Sequence, residues 1–350
     1  MQAGVIMAAQ ELILKTTMPG ANRRRTMDAE FPTVRVAAVQ AEPVVLDRQA
    51  TTDKACRLIK EAAAQGARLI VFPETFIPVY PDIFAWGQGL AKFDTPPAKQ
   101  AWRRLWQNSI DIPGPITDIL CQAAQAAQAY VVMGVNERTT ENHSLYNTSL
   151  FITPEGEILG KHRKLVPTNH ERMVWDEGDG STLKVFETEV GKLGSLICWE
   201  NWMPLARYAL YAQGEQIHLA PTADDSELAL VNARNTAAEG RVFVVMVCMV
   251  LRKSSYPADF ELNAELADAP EFLEAGGSAI VGPDGTVLAG PLWKEEGILY
   301  ADLDLNRIIE EHQLLDVVGH YARPDVLGLR FNPSVQKAME RIRGAGAPEI

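Results

Sequence analysis

Apolar residues recur along this chain with two alternating periods. "VRVAAVQ" (34–40) is a run of β-branched and small residues, the pattern of a buried strand. The next stretch, "TTDKACRLIKEAAAQGARLIVFPE", changes period. Ala55, Leu58, Ile59 and Ala62 fall at helical spacing, Thr51, Thr52 or Asp53 can cap the start, Gly66 stops it, and "LIVF" begins a second strand. The same beat returns in "PITDILCQAAQAAQAYVVMGVNE", a helix leading into a strand that ends at Glu137. "YNTSLFITPEGEILGKHRK" predicts two strands joined by a Pro-Glu-Gly turn. "KLGSLIC" predicts a strand. A helix follows it, with Trp202, Leu205, Ala206, Ala209 and Leu210 on one face and Gly214 at its end. Four further strand patterns, "IHLAPT", "VFVVMVCMV", "SAIVGPDGTVLAG" and "GILYADLDL", surround one more helix, "ALVNARNTAAEGR".

Strands alternate with helices and no Pro/Gly/Ser linker divides them. The expected fold is a single α/β domain with central sheets covered by helices. Residues 253–276 are polar and acidic, which predicts a surface excursion, and the tail from about residue 322 carries little periodicity. The expected organisation is a loosely ordered extension over residues 1–32, one domain over 33–315, and a C-terminal segment over 316–350. Met27 is an alternative start to Met1.

Charge and composition narrow the function. Lys and Arg number 33 against 45 Asp and Glu, a net charge of −12, which argues against a partner that presents phosphates, nucleic acid included. No window reaches the ~18 consecutive apolar residues of a membrane span, and the N-terminal stretch lacks the basic start of a signal peptide. Four cysteines with no C-x-x-C pair fit a reducing cytoplasm. His143, His162, His170, His218, His312 and His320 show no ligand spacing, so no metal is expected. Phosphate-loop, dinucleotide and serine-elbow motifs are all missing from the sequence, so no cofactor is expected either.

Candidate chemistry gathers at strand ends. Glu74 follows "LIVFP", Glu137 follows "VVMGVN", Lys164 follows the strand-like "GEILG", and Cys198 follows "GSLI". Such ends are where α/β sheets carry their sites. A thiol with a pKa of about 8.5 needs a base or a neighbouring cation to act as a nucleophile. A glutamate and a lysine supply these. Each residue alone also has an ordinary structural reading: a core cysteine, a helix-capping glutamate, a solvated lysine.

Their joint context resembles the nitrilase superfamily. "VFPETFIPVYP" resembles the segment of its glutamate base, "GKHRKLVPTNHERMVWDEGDG" its lysine segment, and "ICWEN" its nucleophile elbow. "GVNER" resembles the site of its second, positioning glutamate. The resemblance runs from about Val34 to about Val326, and "DVVGHYARPDV" (316–326) is similar to a stretch of the nitrile-hydrolysing branch. It implies a four-layer α-β-β-α sandwich of two mixed sheets. It also implies a Glu-Lys-Cys triad of Glu74, Lys164 and Cys198, with Glu137 orienting the lysine. The activity implied is hydrolysis of a small nitrile to acid and ammonia through a thioimidate and a thioester, without metal or organic cofactor. The resemblance further implies a homo-oligomer, a dimer or a larger spiral, with the C-terminal segment at subunit contacts. Trp199, Trp175, Thr75, Tyr80 and Trp202 are expected to wall the substrate pocket, with the Trp199 amide as an oxyanion donor. Amide or carbamoyl hydrolysis, hydration of cyanide, and an inactive binding scaffold are the competing readings.

Overall fold

The computed structural model describes residues 31–140 and 142–336. The N-terminal extension up to residue 30, with Met1 and Met27, and the end of the C-terminal segment from residue 337 lie outside the described residues.

Two mixed sheets form the centre. The first has the order β13-β1-β2-β3-β4-β5, built from β1 (Thr33–Gln40), β2 (Leu69–Val71), β3 (Tyr130–Arg138), β4 (Leu145–Ile152), β5 (Ile158–Arg163) and β13 (Gly297–Asp304). The second has the order β10-β11-β9-β8-β7-β6, with β12 on β11. Its strands are β6 (Phe186–Thr188), β7 (Gly191–Ser195), β8 (Ile217–Thr222), β9 (Phe243–Cys248), β10 (Val250–Arg252), β11 (Phe272–Val281) and β12 (Val287–Trp293). Parallel pairs β1–β2–β3 and β7–β8–β9 arise from strand-helix-strand units. The hairpins β3–β4–β5 supply one antiparallel edge of the first sheet, and β13 pairs antiparallel with β1 at the other.

Helices close both outer faces. Helices α1 (Arg48–Ala64) and α3 (Pro115–Ala127) bury Ala55, Ile59, Leu120 and Ala124 against Ile70, Val131 and Met133 of the first sheet. Helix α2 (Pro96–Asn108) lies between them in sequence. Helices α4 (Pro204–Ala212) and α5 (Glu227–Gly240) cover the second sheet, with Ala233 and Ala237 on Val244 and Met246, and α6 (Asn306–His312) follows β13. The expected four-layer α-β-β-α sandwich is the observed one. Between the sheets Ser195 donates to Ser149 at 3.3 Å, and Gln40 of β1 bonds the backbones of Leu292 and Ser278.

Three local expectations change. The first helix begins earlier, because Asp47 caps it by accepting from the Ala50 amide. After β7 the chain turns through a short 3-10 turn, Cys198–Trp202, before α4 begins at Pro204. That break rotates Trp202 and Leu205 outward, so both are exposed. Residues 253–271 are not a solvated excursion. Tyr256, Phe260, Leu262 and Leu266 are buried on the loop after Glu74, where Trp86 donates to Tyr256 and Tyr256 donates to Asp82.

Candidate active site

The seam between the sheets brings Glu74, Lys164 and Cys198 together. β2 stops at Val71 and the chain turns at Pro73–Glu74, with Thr75 at φ 44°. β3 passes directly beneath this turn. A Cβ on Gly134 would lie 1.9 Å from the Pro73 carbonyl oxygen, so only glycine lets the strand and the turn meet. Lys164 is the residue after β5 and its amide bonds the Asn147 carbonyl. Gly178 presses on the same backbone: a Cβ there would meet the Arg163 carbonyl at 2.3 Å.

The hydrogen bonds converge on Glu74, which is fully buried. One carboxylate oxygen accepts from Lys164 Nζ at 2.8 Å and from Asn147 Nδ2 at 2.6 Å. The other accepts from the Ala223 amide at 2.8 Å, at the end of β8. The base is therefore held from both sheets. Lys164 Nζ donates a second bond, at 2.7 Å, to Glu171. Glu171 in turn accepts from Tyr80 Oη at 2.7 Å and from the Thr168 amide. Ligating atoms of Glu74, Glu171 and Cys198 lie within 4.8 Å of one another. A group of two carboxylates and a thiolate can hold a divalent ion, but here the Lys164 ammonium already bridges the two carboxylates.

Cys198 sits at a strained corner. Its φ is 55°, a left-handed conformation that costs of order 1–3 kcal/mol for a residue with a side chain. The surroundings hold it there. Asn201 Nδ2 donates to the Leu196 and Cys198 carbonyls at 2.9 and 2.8 Å. Behind it, His218 bridges Asn201 and Glu215. Glu200 accepts from the Ile197 amide at 2.6 Å, from the Leu165 amide at 2.7 Å, and contacts His162 at 3.0 Å. Glu200 thus ties the cysteine corner to the residue after Lys164.

Protonation follows from this burial. The Cys198 thiol is pushed well up, first by burial and then by the Glu74 carboxylate. Lys164 and a hydrogen bond from Thr222 oppose this without reversing it. The resting sulfur is a thiol. Burial also raises the Glu74 pKa, against the pull of Lys164 and with a further push from Glu171. For Lys164, burial favours loss of the proton, but the Glu74 and Glu171 carboxylates outweigh it and keep the ammonium charged.

Glu137 is not in this cluster. Its carboxylate bonds Lys161, Arg163 and Thr148, and these contacts overcome its burial to hold it ionised. Strand parity is the reason. Glu137 shares a side of β3 with Val131, Met133 and Val135, which pack in the cluster beneath the helices. Lys164 instead bonds Glu171, in the turn after it. Glu171 was hidden in "NHERM", a stretch that reads as a polar turn. A capping-box spacing from Thr168 was one sequence signal, and its place inside the lysine segment was another. Asn147, Glu200 and Asn201 were likewise missed.

Of the expected pocket residues, Thr75 and Trp175 are buried beside the cluster. Trp175 donates to Asn136 at 2.7 Å and its ring lies 5.9 Å from Lys164 Nζ. Tyr80 is engaged with Glu171. Trp202 lines a cavity of about 20 Å³ beside Cys198, with Thr222 and Asp224. Trp199 is half exposed and donates to Asp224 at 3.0 Å. A groove of about 880 Å³ between Ile112, Asp118, Cys121, Glu155 and Lys161 is larger, but burial and the Asp118 charge push its Cys121 thiol up and leave it without an activating cation.

The carbon-nitrogen hydrolase family model matches residues 35–313. A bifunctional nitrilase/nitrile hydratase, NIT4A of Lupinus angustifolius, is 45% identical over 306 residues, 86% of this chain and 87% of that protein. Nitrilase blr3397 of Bradyrhizobium diazoefficiens is 43% identical over 324 residues, 92% of this chain and 99% of its own. Saccharomyces cerevisiae Nit3, a nitrilase superfamily member of known structure, superposes with a TM-score of 0.65 at 21% identity, covering 83% of this chain and 96% of that one.

Proposed function

Because the chain belongs to the carbon-nitrogen hydrolase family, we propose that it is a nitrilase that hydrolyses an organic nitrile to the carboxylic acid and ammonia. The observation that carries this is the buried union of Glu74, Lys164 and Cys198, distant in sequence, on the frame of relatives that carry the nitrilase name. Since the resting sulfur is protonated, proton transfer accompanies attack. Glu74 takes the thiol proton while sulfur bonds the nitrile carbon, and an electron pair moves to nitrogen. Glu74 returns the proton to that nitrogen, giving the thioimidate. Lys164 faces the charge that develops there, and the Trp199 amide is a second donor. One water adds to the carbon, ammonia leaves, and a thioester remains. A second water, deprotonated by Glu74, releases the acid and the thiol.

The tetrahedral intermediate after the first water has two exits. Expelling ammonia leads to the acid, and expelling sulfur leads to the amide. Relatives named as both nitrilase and nitrile hydratase favour a minor amide product here. Trp175, Thr75 and Tyr80 form the wall nearest Lys164, with Trp199 and Trp202 at the outer side of Cys198.

The reading extends to the assembly and its place. Leu205, Leu228 and Val231 are exposed on α4 and α5, an apolar face that supports a homo-oligomer, with the segment after residue 316 at further contacts. Four free cysteines support a cytoplasmic site. Among the described residues no helix is long and apolar enough to cross a membrane.

The test is ammonia release from a nitrile panel by the wild type and by Cys198→Ala. The variant is expected to keep its circular dichroism spectrum and lose turnover below detection. Appreciable turnover by it refutes the nucleophile assignment.

A further inference from the structure

Glu274 stands apart from every other buried acid near the site. It lies on β11, 7% exposed, and its carboxyl group makes no hydrogen bond or ion pair with the described residues. Neither of its oxygens is among the sealed polar atoms without partners, so the little exposure that remains reaches the carboxyl. A buried acid without a donor is costly and calls for an explanation. Its acidic neighbours are all supplied. Asp82 accepts from Tyr256, Phe84 and Ala85, Asp224 from Trp199 and Ser226, and Asp225 from the Ala275 amide.

Register fixes where this carboxyl points. Glu274 is directly opposite Leu251 of β10, and opposed residues of an antiparallel pair share a face. Leu251 belongs to the buried cluster that also holds Leu273, Tyr80, Trp175, Ala223 and Tyr256. Tyr80 bonds Glu171 and Ala223 bonds Glu74, so this cluster adjoins the reacting groups. Electrostatic reach agrees: Glu274 acts on Tyr80 and on Cys248, and Cys248 also feels Cys198. Burial pushes the Glu274 pKa well up, and the charges of Asp225, Asp82, Glu74 and Asp224 push it further. All have the sign that attracts a cation and repels an anion.

We propose that Glu274 is a specificity-determining residue whose carboxyl group receives an ammonium group carried by the nitrile substrate. The inference rests on the nitrile-hydrolysis reading and names the substrate class for it. An ammonium would supply the donors that the protein withholds and would offset the surrounding negative charge. A charge-assisted pair of this kind is among the stronger hydrogen bonds. A site built around such a pair discriminates sharply against an analogue that lacks it.

The experiment uses the full chain and a series of ω-aminonitriles of increasing length. Each is paired with the alkyl nitrile of equal heavy-atom count and with the matching ω-cyanocarboxylate. At one chain length kcat/KM should favour the ammonium nitrile over its alkyl partner by about tenfold or more, with the cyanocarboxylate lowest. Glu274→Gln should erase most of that ratio, chiefly through KM of the aminonitrile. Glu274→Asp, one methylene shorter, should keep the preference and move it to a longer substrate, a shift that a merely structural role would not produce. The proposal is overturned if the wild type turns over alkyl nitriles with no ammonium preference at any length. It is also overturned if Glu274→Gln leaves the ratio intact, or if the cyanocarboxylate is preferred. Those results leave the nitrilase reading standing. Failure of the wild type to hydrolyse any member of the series overturns both.

Discussion

Replacing Glu171 by Gln removes one charge from the cluster and keeps the side-chain volume. Glu171 and Glu74 hold the same ammonium, at 2.7 and 2.8 Å, and their ligating oxygens lie within 4.8 Å. At an effective dielectric of about 20, two like charges at that separation repel by about 3 kcal/mol, equivalent to about two pH units in the titration of Glu74. The sign is fixed: Glu171 pushes the Glu74 pKa up, so its neutralisation lets Glu74 ionise at lower pH. Glu74 must be ionised to take the thiol proton, so the acid limb of kcat/KM should move down by about one pH unit or more once relaxation has absorbed part of the repulsion. A less basic Glu74 should also slow kcat, by about tenfold to a hundredfold. The assay is a pH profile of ammonia release for wild type, Glu171→Gln and Glu137→Gln. Glu137 is paired with Lys161 and Arg163, so its variant should leave the acid limb in place. An unmoved limb in Glu171→Gln, or an equal shift in Glu137→Gln, refutes the reasoning.

Two further outcomes follow from geometry and burial. Gly134→Ala should lower stability by several kcal/mol and abolish turnover, because its methyl has no room beside the Pro73 carbonyl; urea unfolding close to that of wild type would contradict this. The folded chain keeps the Cys198 proton above pH about 9, where an unfolded thiol gives it up. The folded state then binds more protons, and stability falls with rising pH by up to about 1.4 kcal/mol per pH unit from this group. Cys198→Ala should flatten that decline in urea titrations at successive alkaline pH values, and an unchanged slope would show that the thiol is not desolvated.

Much of this site was legible in the sequence, and the gaps have physical causes. Apolar runs marked the strands, so Glu74, Lys164 and Cys198 could be placed at strand ends from pattern and motif alone. Lys164 was separable from Lys161 by motif, and parity gives the reason: the odd residues Lys161 and Arg163 join Glu137, while His162 reaches Glu200 between the sheets. The same alternation keeps Glu137 from meeting Lys164, and its position at a strand end does not report that. Glu171 and Asn201 lie in turns, where no period reports which way a side chain faces. Residues 253–271 look solvated because charged positions separate their anchors. Only the folded chain shows Tyr256 and Phe260 reaching down to Trp86.

Glu74 is bolted to one half of the molecule by Lys164 and Asn147 and to the other by the Ala223 amide. A partly unzipped molecule, with either half still intact, would therefore hold an incomplete reaction centre. Loss of turnover in denaturant should coincide with the loss of the whole fold, and a tight occupant of the centre should act as a clasp that slows the two halves from parting.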